Sequence, residues 1–315
     1  MLGSQSARAG QVGLVSKLHP FGEFRQTYSR YMQCQVVTTE PESRVTLISV
    51  IVNTYNWPSA LRLCLQSLAG QTERSFEIVV ADDGSLPDTA EVIAAFARSV
   101  PIPVKHVWHE DIGFRRSVIL NKAIVEARGP YLIFVDGDCI PQPDFVARHR
   151  ALAEPNHLVT GSRILLGRKL SSELLAEGEW NYKAFRREAL GHRLNGEISK
   201  IMPLFVRLTR WRRWSRYRSF VWRRIKGCNL ACWKSDALAV GGFEEALTGW
   251  GSEDIDFVFR LQDKGVIRRS GTWATEVLHL WHLPADLSRS AANKKIVLDR
   301  IEAARLRNKA AQTPN

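Results

Sequence analysis

The pattern of apolar positions first becomes regular at Val45, where the nearly continuous β-branched run VTLISVIVN begins. Such a run is typical of a strand that is buried on both faces. Pro58 then suits the first turn of a helix, and leucines recur at helical spacing until Gly70. The chain from Val45 therefore predicts a strand, a loop and a helix.

The same unit recurs further along the chain. FEIVVADDGS predicts a second strand with a helix over roughly 87–98, PVKHVW a third strand with a helix over roughly 115–127, and YLIFVDGD a fourth strand. Alternating β and α elements with buried strands predict an α/β fold with a doubly wound, mostly parallel sheet. In such sheets ligands bind beyond the carboxyl ends of the strands. Four acidic residues fall at these ends: Asp82, Asp83, Asp136 and Asp138.

The segment 205–226 holds nine Arg or Lys and no acidic residue, and its apolar residues recur every three or four positions. This pattern predicts a basic amphipathic helix or pair of helices. A net charge of +12 also indicates an anionic partner. Two interpretations of the segment stay open. Its aromatic residues pack on the domain, or it binds an anionic membrane surface or an acidic glycan.

Two other classes of protein are disfavoured. Basic charge with interleaved aromatic residues suits single-stranded nucleic acid, but nucleic-acid binding gives no reason for DDGS, DGD and WGSED to coexist, so no nucleic-acid partner is expected. A nucleotidyltransferase would carry a glycine-rich phosphate loop after the first strand, which NTYNWPSA is not.

The chain also lacks segments that target a protein to or across a membrane. No apolar run approaches the roughly 20 residues that cross a bilayer, and the N-terminus lacks the pattern of a secretory signal. The five cysteines are scattered without paired CxxC spacing, which favours small buried thiols over a metal site. We therefore expect a cytoplasmic protein, with peripheral contact at the inner face of the cytoplasmic membrane.

The triplet Asp136-Gly137-Asp138 places a carboxylate on either side of a glycine at the end of a buried strand. Two close carboxylates repel each other unless a cation lies beside them, and Mg²⁺ or Mn²⁺ shares oxygen ligands with phosphates. The triplet therefore favours a divalent metal carrying a diphosphate over a solvated turn. His279 and His282 follow in VLHLWH, which reads as a strand. A histidine there is a core residue or, with a metal at Asp138, a further ligand.

Two more strings place polar groups at the same sheet edge. Asp82-Asp83, followed by Gly-Ser, forms a turn and helix cap or accepts a hydrogen bond from a base or ribose. Thr54, Tyr55 and Asn56 close the first strand beside this pair and offer an aromatic face.

The string Trp250-Gly251-Ser252-Glu253-Asp254 combines an aromatic residue, a flexible glycine and two acids that open a helix. Ordinary N-capping explains the acids, because the helix dipole favours carboxylates there. An aromatic platform beside a carboxylate also binds a sugar and deprotonates its hydroxyl.

Together these strings resemble the large inverting glycosyltransferase family that includes chondroitin polymerase and cellulose-type synthases, with a C-terminal half similar to galactosyltransferases that make β-1,4 linkages. The ordered series is SVIVNTYN, SLAGQT, EIVVADDGS, GFRRSVILNKAI, YLIFVDGDCIP, KGCNLACWKSDALAVGGFEE, WGSEDIDFVFRL and VLHLWH. The family implies a GT-A fold. A Rossmann-like nucleotide-binding half at 45–140 would be fused to an acceptor-binding half at 141–283, with an N-terminal arm at 1–44 and a helical tail at 284–315.

The resemblance also implies a role for individual residues toward a nucleotide-sugar donor, most simply a UDP-sugar. A divalent ion, Mn²⁺ or Mg²⁺, would bind Asp138 together with His279 or His282. The expected donor contacts are Thr54, Tyr55, Asn56, Asp82, Asp83, Phe114, Arg116, Asn121, Asp136, Gly137 and Asp138.

On the acceptor side, the resemblance makes Asp254 the general base and Glu253 the residue that orients the acceptor hydroxyl. The acceptor would be a glycan or lipid-linked glycan of cell-surface polysaccharide or lipopolysaccharide assembly. The expected acceptor contacts are Trp250, Gly251 and Asn229. The chain departs from the family pattern at Leu120, where an arginine is common, and at Ser252, where a second glycine is usual.

Overall fold

The computed structural model describes residues 45–208 and 216–312. The helices and strands are, in chain order, β1 (Ile48–Thr54), α1 (Pro58–Ala69), β2 (Phe76–Asp82), α2 (Pro87–Ser99), β3 (Val104–Trp108), α3 (Arg116–Glu126), β4 (Tyr131–Asp136), β5 (Cys139–Pro141), α4 (Phe145–Leu152), β6 (His157–Thr160), β7 (Arg163–Leu165), α5 (Arg168–Glu177), α6 (Tyr182–Leu194), a 3₁₀ turn (Met202–Leu204), β8 (Arg216–Tyr217), β9 (Asn229–Trp233), α7 (Lys234–Ala239), α8 (Glu253–Asp263), β10 (Ile267–Ser270), β11 (Val277–His279) and α9 (Ser290–Gln312).

The central sheet has eight strands in the order β3-β2-β1-β4-β9-β6-β10-β8. Its first four strands are mutually parallel, β9 runs antiparallel between β4 and β6, and β10 is parallel to β6. The α/β fold and the strands and helices expected between Val45 and Asp136 are confirmed. The sheet is mixed beyond β4, where the apolar pattern carried no information on pairing.

Helices cover both faces of the sheet because its strands are apolar on both sides. Val50 and Val52 of β1 pack into one core with α1 and α2, whereas Ile51 packs into the opposite core with α3. Successive side chains of a strand point to opposite faces, so one unbroken apolar run serves both layers. The polar carboxyl ends of β1, β2 and β4 are left together at one edge.

A second sheet of three short strands, in the order β5-β11-β7, lies beside this edge. β5 begins at Cys139, directly after the triplet, and Cys139 is the pairing partner of His279 in β11. The second sheet therefore brings the late histidines to the end of β4. β11 ends at His279, so the strand expected through Trp281 is shorter than predicted.

The helix expected at 205–226 is wrong for the part that the structure describes, while residues 209–215 lie outside it. β8 pairs antiparallel with β10, and the following backbone is irregular. The buried guanidinium of Arg268 donates hydrogen bonds to the carbonyl oxygens of Val221 and Arg223, at 2.5 and 2.9 Å. Those carbonyls are satisfied by a side chain from β10 and not by a helical turn. Phe220 packs edge-on against Phe259 of α8, which matches the packing interpretation for this stretch.

The C-terminal helix predicted from charge is α9. It is not frayed along its length, because Val297, Ile301 and Ala304 are buried against Leu247 and Phe259. Within residues 45–208 and 216–312, no helix is both long enough and apolar enough to span a membrane. The four cysteines in these ranges are buried and unpaired with one another by disulfides, as expected. The predicted arm at 1–44 lies outside the described residues.

Candidate active site

Three potential metal ligands lie close together where β4 ends and the small sheet begins. The Nε2 atoms of His279 and His282 lie 3.7 and 3.2 Å from Oδ2 of Asp138, and ligand atoms from all three residues lie within 4.8 Å of one another. The pairing of β5 with β11 fixes this geometry. The sequence left open which of the two histidines would join Asp138 as a metal ligand. The structure brings both imidazoles to the same carboxylate, so both are potential ligands.

The pKa shifts of Asp138 and His279 favour the forms that bind a cation, whereas the hydrogen bond with Asp138 raises the pKa of His282. Nδ1 of His282 donates to the carbonyl oxygen of Leu283 at 2.6 Å, which leaves Nε2 directed at Asp138. Burial opposes the charged form of Asp138, but the contacts with His282 and His279 outweigh it and lower the pKa of the carboxyl. Burial lowers the pKa of His279, which favours the neutral imidazole that binds metals.

Arg116, at the start of α3, joins two acids from distant parts of the chain. Its guanidinium lies 2.5 Å from Asp136 and 3.0 Å from Glu253, and all three groups are largely buried. Burial raises the pKa of Glu253, against the charge of Arg116. A further hydrogen bond, from the Gly251 backbone N–H to Glu253 at 3.1 Å, holds the entry to α8. This ion-pair bridge, Asp136–Arg116–Glu253, connects the triplet to the residue directly before the predicted base Asp254.

Asp254 is half-buried beside this bridge. Its Oδ2 accepts a hydrogen bond from the backbone N–H of Gly227 at 2.8 Å. A Cβ at Gly227 would lie 3.1 Å from Nη1 of Arg116 and 3.2 Å from Cβ of Asp254. Gly227 therefore lets the backbone reach both residues. A hydrogen-bonded, partly exposed carboxylate is suited to accept a proton from a bound hydroxyl.

The loop before α8 is strained at Ser252, the position where the family has glycine. Ser252 has φ of 74°, in the left-handed region that favours glycine, and Gly251 has φ of 113°. Trp250 is 45% exposed, so its ring is available to stack on a sugar. The serine keeps the backbone turn that a second glycine would adopt without strain.

Asp82 and Asp83 are buried and already hydrogen bonded within the protein. Asp82 accepts from the Ser85 N–H at 2.9 Å and contacts His106 at 2.9 Å. Asp83 contacts His109 at 2.7 Å and accepts from the Arg115 N–H at 3.1 Å. The structure thus places both acids at the predicted strand end and ties them to β3 and to the loop before α3.

The other residues at this strand end differ in exposure. The Tyr55 hydroxyl donates to Asp111 at 2.9 Å, and half of its side chain is exposed. Phe114 is likewise exposed, whereas the Asn56 carboxamide oxygen accepts from the Leu86 N–H at 2.8 Å. Both aromatic rings are therefore accessible to a nucleotide base.

Gly137 permits a close approach, but the neighbour is β1 of the protein itself. Its N–H donates to the Asn53 carbonyl oxygen at 2.7 Å, and a Cβ would lie 3.2 Å from the Thr54 hydroxyl oxygen. The small residue therefore lets the triplet lie against the end of β1.

Two predicted contacts have their polar groups engaged by the protein. The Asn229 side chain has no exposed surface and donates hydrogen bonds to the carbonyl oxygens of Ser162 and Thr275, so its contact with an acceptor stays a prediction. The buried Asn121 amide donates to the Phe243 carbonyl oxygen and accepts from the Phe243 N–H, which ties α3 to Phe243, and its contact with the donor stays a prediction. Burying an amide without a hydrogen-bond partner costs free energy, so both of these buried amides are hydrogen bonded within the protein.

Comparison with protein families agrees with this arrangement. Residues 49–207 match the model of glycosyl transferase family 2, and residues 207–282 match that of the N-terminal domain of galactosyltransferase. The chain belongs to glycosyltransferase family 2. The second match covers Gly227, which precedes β9, and α8, which carries Glu253 and Asp254.

Relatives of this glycosyltransferase are longer than the part that this chain matches. It is 30% identical over 256 residues to validoxylamine A glucosyltransferase of Streptomyces hygroscopicus subsp. jinggangensis, covering 75% of this chain and 57% of that protein. It is 26% identical over 229 residues to chondroitin synthase of Escherichia coli, covering 71% of this chain and 33% of that one. The chain thus spans little more than half of the first relative and a third of the second.

A solved structure supports the GT-A fold. The mannosyltransferase PcManGT from Pyrobaculum calidifontis, in complex with GDP-Man and Mn²⁺, superposes with a TM-score of 0.50 at 19% identity, covering 82% of this chain and 65% of that one. The expected fold of the glycosyltransferase is therefore confirmed.

Sequence reasoning missed Arg163 of this glycosyltransferase. Arg163 pairs in register with Val277 of β11, two residues before His279, and its Nη1 lies 3.9 Å from Sγ of Cys228. Cys228 follows Gly227, so Arg163 lies near both the strand of His279 and the loop that holds Asp254. No carboxylate in the described ranges forms an ion pair with it. A single arginine in a polar stretch carries no signal in the sequence, and only strand pairing reveals it.

Proposed function

We propose that this chain is a metal-dependent, inverting glycosyltransferase that moves a sugar from a UDP-sugar donor onto a glycan or lipid-linked glycan. The observation that carries the proposal is the meeting of the Asp138–His279–His282 triad with Asp254 at one sheet edge, joined by the bridge Asp136–Arg116–Glu253. Donor activation and acceptor deprotonation need these two kinds of group within one site. The relatives' names support a sugar donor and a glycan product.

The triad fits a divalent ion by its chemistry. Asp138, His279 and His282 would hold Mn²⁺ or Mg²⁺, which would neutralise the diphosphate of the donor as it departs. Mg²⁺ takes oxygen ligands almost throughout, so two imidazoles favour Mn²⁺, the ion held by the fold neighbour. Arg163 would add a fixed positive charge on the acceptor side of the same diphosphate. Tyr55 and Phe114 would contact the base from the end of β1 and from the loop before α3.

Asp254 would receive the proton of the acceptor hydroxyl. The Gly227 N–H fixes Oδ2 of this carboxylate, and Trp250 offers a face on which the acceptor sugar stacks. Glu253 is held by Arg116 and Gly251, so it would orient the opening turn of α8 rather than exchange a proton. The acceptor oxygen would attack the anomeric carbon opposite the departing diphosphate, and a single displacement inverts the configuration.

The acceptor is the less specified substrate. Relatives named chondroitin synthase and hyaluronan synthase support a polysaccharide, and we place the reaction in cell-surface polysaccharide or lipopolysaccharide assembly at the inner membrane face. Peripheral contact with an anionic membrane would bring the enzyme to a lipid-linked acceptor.

The first test is a panel of nucleotide sugars scored by thermal shift and slow donor hydrolysis, with manganese, magnesium or chelator. We expect one UDP-sugar to raise the melting temperature only with metal, and Asp138→Ala to abolish this effect. Asp254→Asn should keep the donor-induced shift but lower transfer about 10²- to 10⁴-fold, as loss of a general base does.

The matched control is Asp299→Asn on the exposed side of α9, which should behave as wild type. No stabilisation by any nucleotide sugar would contradict the proposal. A product with the donor's anomeric configuration retained would contradict inversion alone.

A further inference from the structure

Helix α6 turns apolar side chains to the outside of the protein. Phe185 and Ala189 are buried against the core of the small sheet. On the opposite side Leu190 is 62% exposed and Leu194 is 78% exposed. A leucine in water forfeits the free energy of burial, so two on one side of a helix indicate a surface that is covered in use.

Basic residues share this outward side. Lys183, Arg187, Leu190 and Leu194 follow one another at intervals of four, three and four residues, which places them on one face of the helix. Both basic residues are exposed. A helix with leucines and cations together on its outer face has the composition of one that lies in a lipid interface.

The face continues beyond the helix. Met202 and Phe205 are about half exposed, and the Arg186 guanidinium lies 4.9 Å from the centroid of the Phe205 ring. This contact joins the outer side of α6 to the 3₁₀ turn that follows. We call the combined patch the α6 surface. It consists of Lys183, Arg187, Leu190, Leu194, Met202 and Phe205.

The positive charge of the α6 surface favours an anionic partner. The exposed ionisable residues of α6 are four basic ones and a single acid, Glu188, which faces His192 at 3.7 Å. Glu197, after the helix, is turned inward, where it accepts from the Leu170 N–H at 3.1 Å, and the exposed Glu177 and Glu179 lie before the start of α6. Two copies of such a basic face would repel each other, whereas an anionic leaflet offers both counter-charge and an apolar interior.

A hydrogen bond and a strand pairing also connect the α6 surface to the potential metal ligand His279. Ser199, between α6 and the 3₁₀ turn, bonds through Oγ to the Leu165 N–H of β7 at 2.9 Å. Leu165 in turn pairs with His279 in β11. The same small sheet therefore supports the metal triad on one strand and the α6 surface on its neighbour.

We infer that the α6 surface docks this protein on the anionic leaflet of a lipid bilayer, with the leucines in the interface and the basic residues against the head groups. The consequence for catalysis, delivery of a lipid-linked acceptor to the edge that carries His279, rests on the proposed function. The proposed function already includes membrane contact, but the assignment of that contact to the α6 surface does not rest on it.

The test is co-sedimentation of the full chain with phosphatidylcholine vesicles, with and without phosphatidylglycerol. We expect wild type to bind the anionic vesicles, and Leu190→Ser with Leu194→Ser to weaken binding by about tenfold or more. Lys183→Gln with Arg187→Gln should weaken it about fivefold per charge and reduce the dependence on phosphatidylglycerol.

Two matched pairs serve as controls. Leu287→Ser with Leu306→Ser removes equally exposed leucines near and on α9, and Arg98→Gln with Lys264→Gln removes two exposed charges elsewhere; both pairs should bind as wild type. Circular dichroism confirms that each variant is folded. Equal vesicle binding by all variants would overturn the inference, as would loss of a dimer, and not of lipid binding, in the leucine pair. Metal-dependent donor hydrolysis should stay unchanged in the leucine pair, so the docking and the proposed function fail separately.

Discussion

At the scale of single residues, the two arginines near the site are distinguished by their partners. Arg116 is compensated by Asp136 and Glu253, whereas Arg163 contacts only the Cys228 thiol among the groups for which a hydrogen bond or ion pair is described. A guanidinium held without a carboxylate beside a metal triad is available to an incoming anion. The diphosphate of the donor is the anion that the proposed reaction brings there.

Arg163→Gln should therefore weaken nucleoside diphosphate binding more than nucleoside binding. We expect the dissociation constant for UDP with Mn²⁺ to rise about tenfold, since a charge-assisted hydrogen bond contributes roughly 1.5 to 3 kcal/mol, while uridine binding stays constant. Isothermal titration calorimetry measures both, with Arg98→Gln as the control. Unchanged UDP affinity together with slower transfer would assign Arg163 to the acceptor instead.

The residues also show what a sequence can and cannot convey. The positions of Asp138 after a buried strand and of Asp254 at the start of a helix were predictable, because a buried strand, a triplet and Trp-Gly before two acids are local signals. Asn229 is polar but buried. Only the packed structure shows that its amide is hydrogen bonded within the protein. The role of Arg163 depends on which strand lies next to β11, and pairing between distant strands leaves no local trace.

At the scale of elements, the strands and helices of the first half were predictable because their apolar periodicity is strong and uninterrupted. The short strands β5 and β7 were not, since three residues give too little pattern to recognise, and β11 was predicted from VLHLWH but ends earlier than expected. The segment 205–226 misled for a different reason. Its apolar spacing is that of a helix. The Arg268 side chain of β10 instead donates hydrogen bonds to the carbonyl oxygens of Val221 and Arg223, and Phe220 packs against Phe259 from an irregular stretch.

The amino ends of the strands are fastened by a buried acid, Glu77 in β2. Its carboxylate accepts from the Ser49 hydroxyl of β1 at 2.6 Å, and from the backbone N–H and side chain of Arg128 before β4, both at 2.6 Å. Burial opposes the charge of Glu77, but these hydrogen bonds outweigh it and lower its pKa. One ionised group thus links three neighbouring strands.

The stability contributed by Glu77 should depend on pH. Because its pKa in the folded protein is below the unfolded value of about 4.3, the contribution is complete above that value and is lost as pH falls through the folded pKa. Glu77→Gln should cost roughly 2 kcal/mol at pH 7, and the difference from wild type should shrink below about pH 4. Urea unfolding at both pH values measures this, with exposed Glu91→Gln as the control. A difference that is independent of pH would show that packing, and not charge, is responsible.

At the scale of the whole molecule, Arg116 joins two parts of the site, which the proposed function assigns to the nucleotide and to the acceptor. Asp136 ends β4 and Glu253 begins α8, and Arg116 holds both in a buried position. Gly227 packs on the same guanidinium and on Asp254, so the bridge also sets the position of the proposed base. Stability and catalytic geometry therefore depend on one ion-pair network.

Arg116→Met should destabilise the protein by about 3 to 5 kcal/mol, because it leaves two buried carboxylates without a counter-charge. Adding Glu253→Gln to Arg116→Met should recover part of this loss, because only Asp136 then lacks a counter-charge. Glu253→Gln alone leaves Asp136 paired with Arg116. Thermal or urea unfolding of the four proteins forms a double-mutant cycle that isolates the coupling between the two residues. Arg116→Lys restores the charge but not the forked contact with both acids, so its stability should fall between those of wild type and Arg116→Met. Strictly additive losses would mean that Arg116 and Glu253 act independently, and the two sides of the site would then be held together by packing alone.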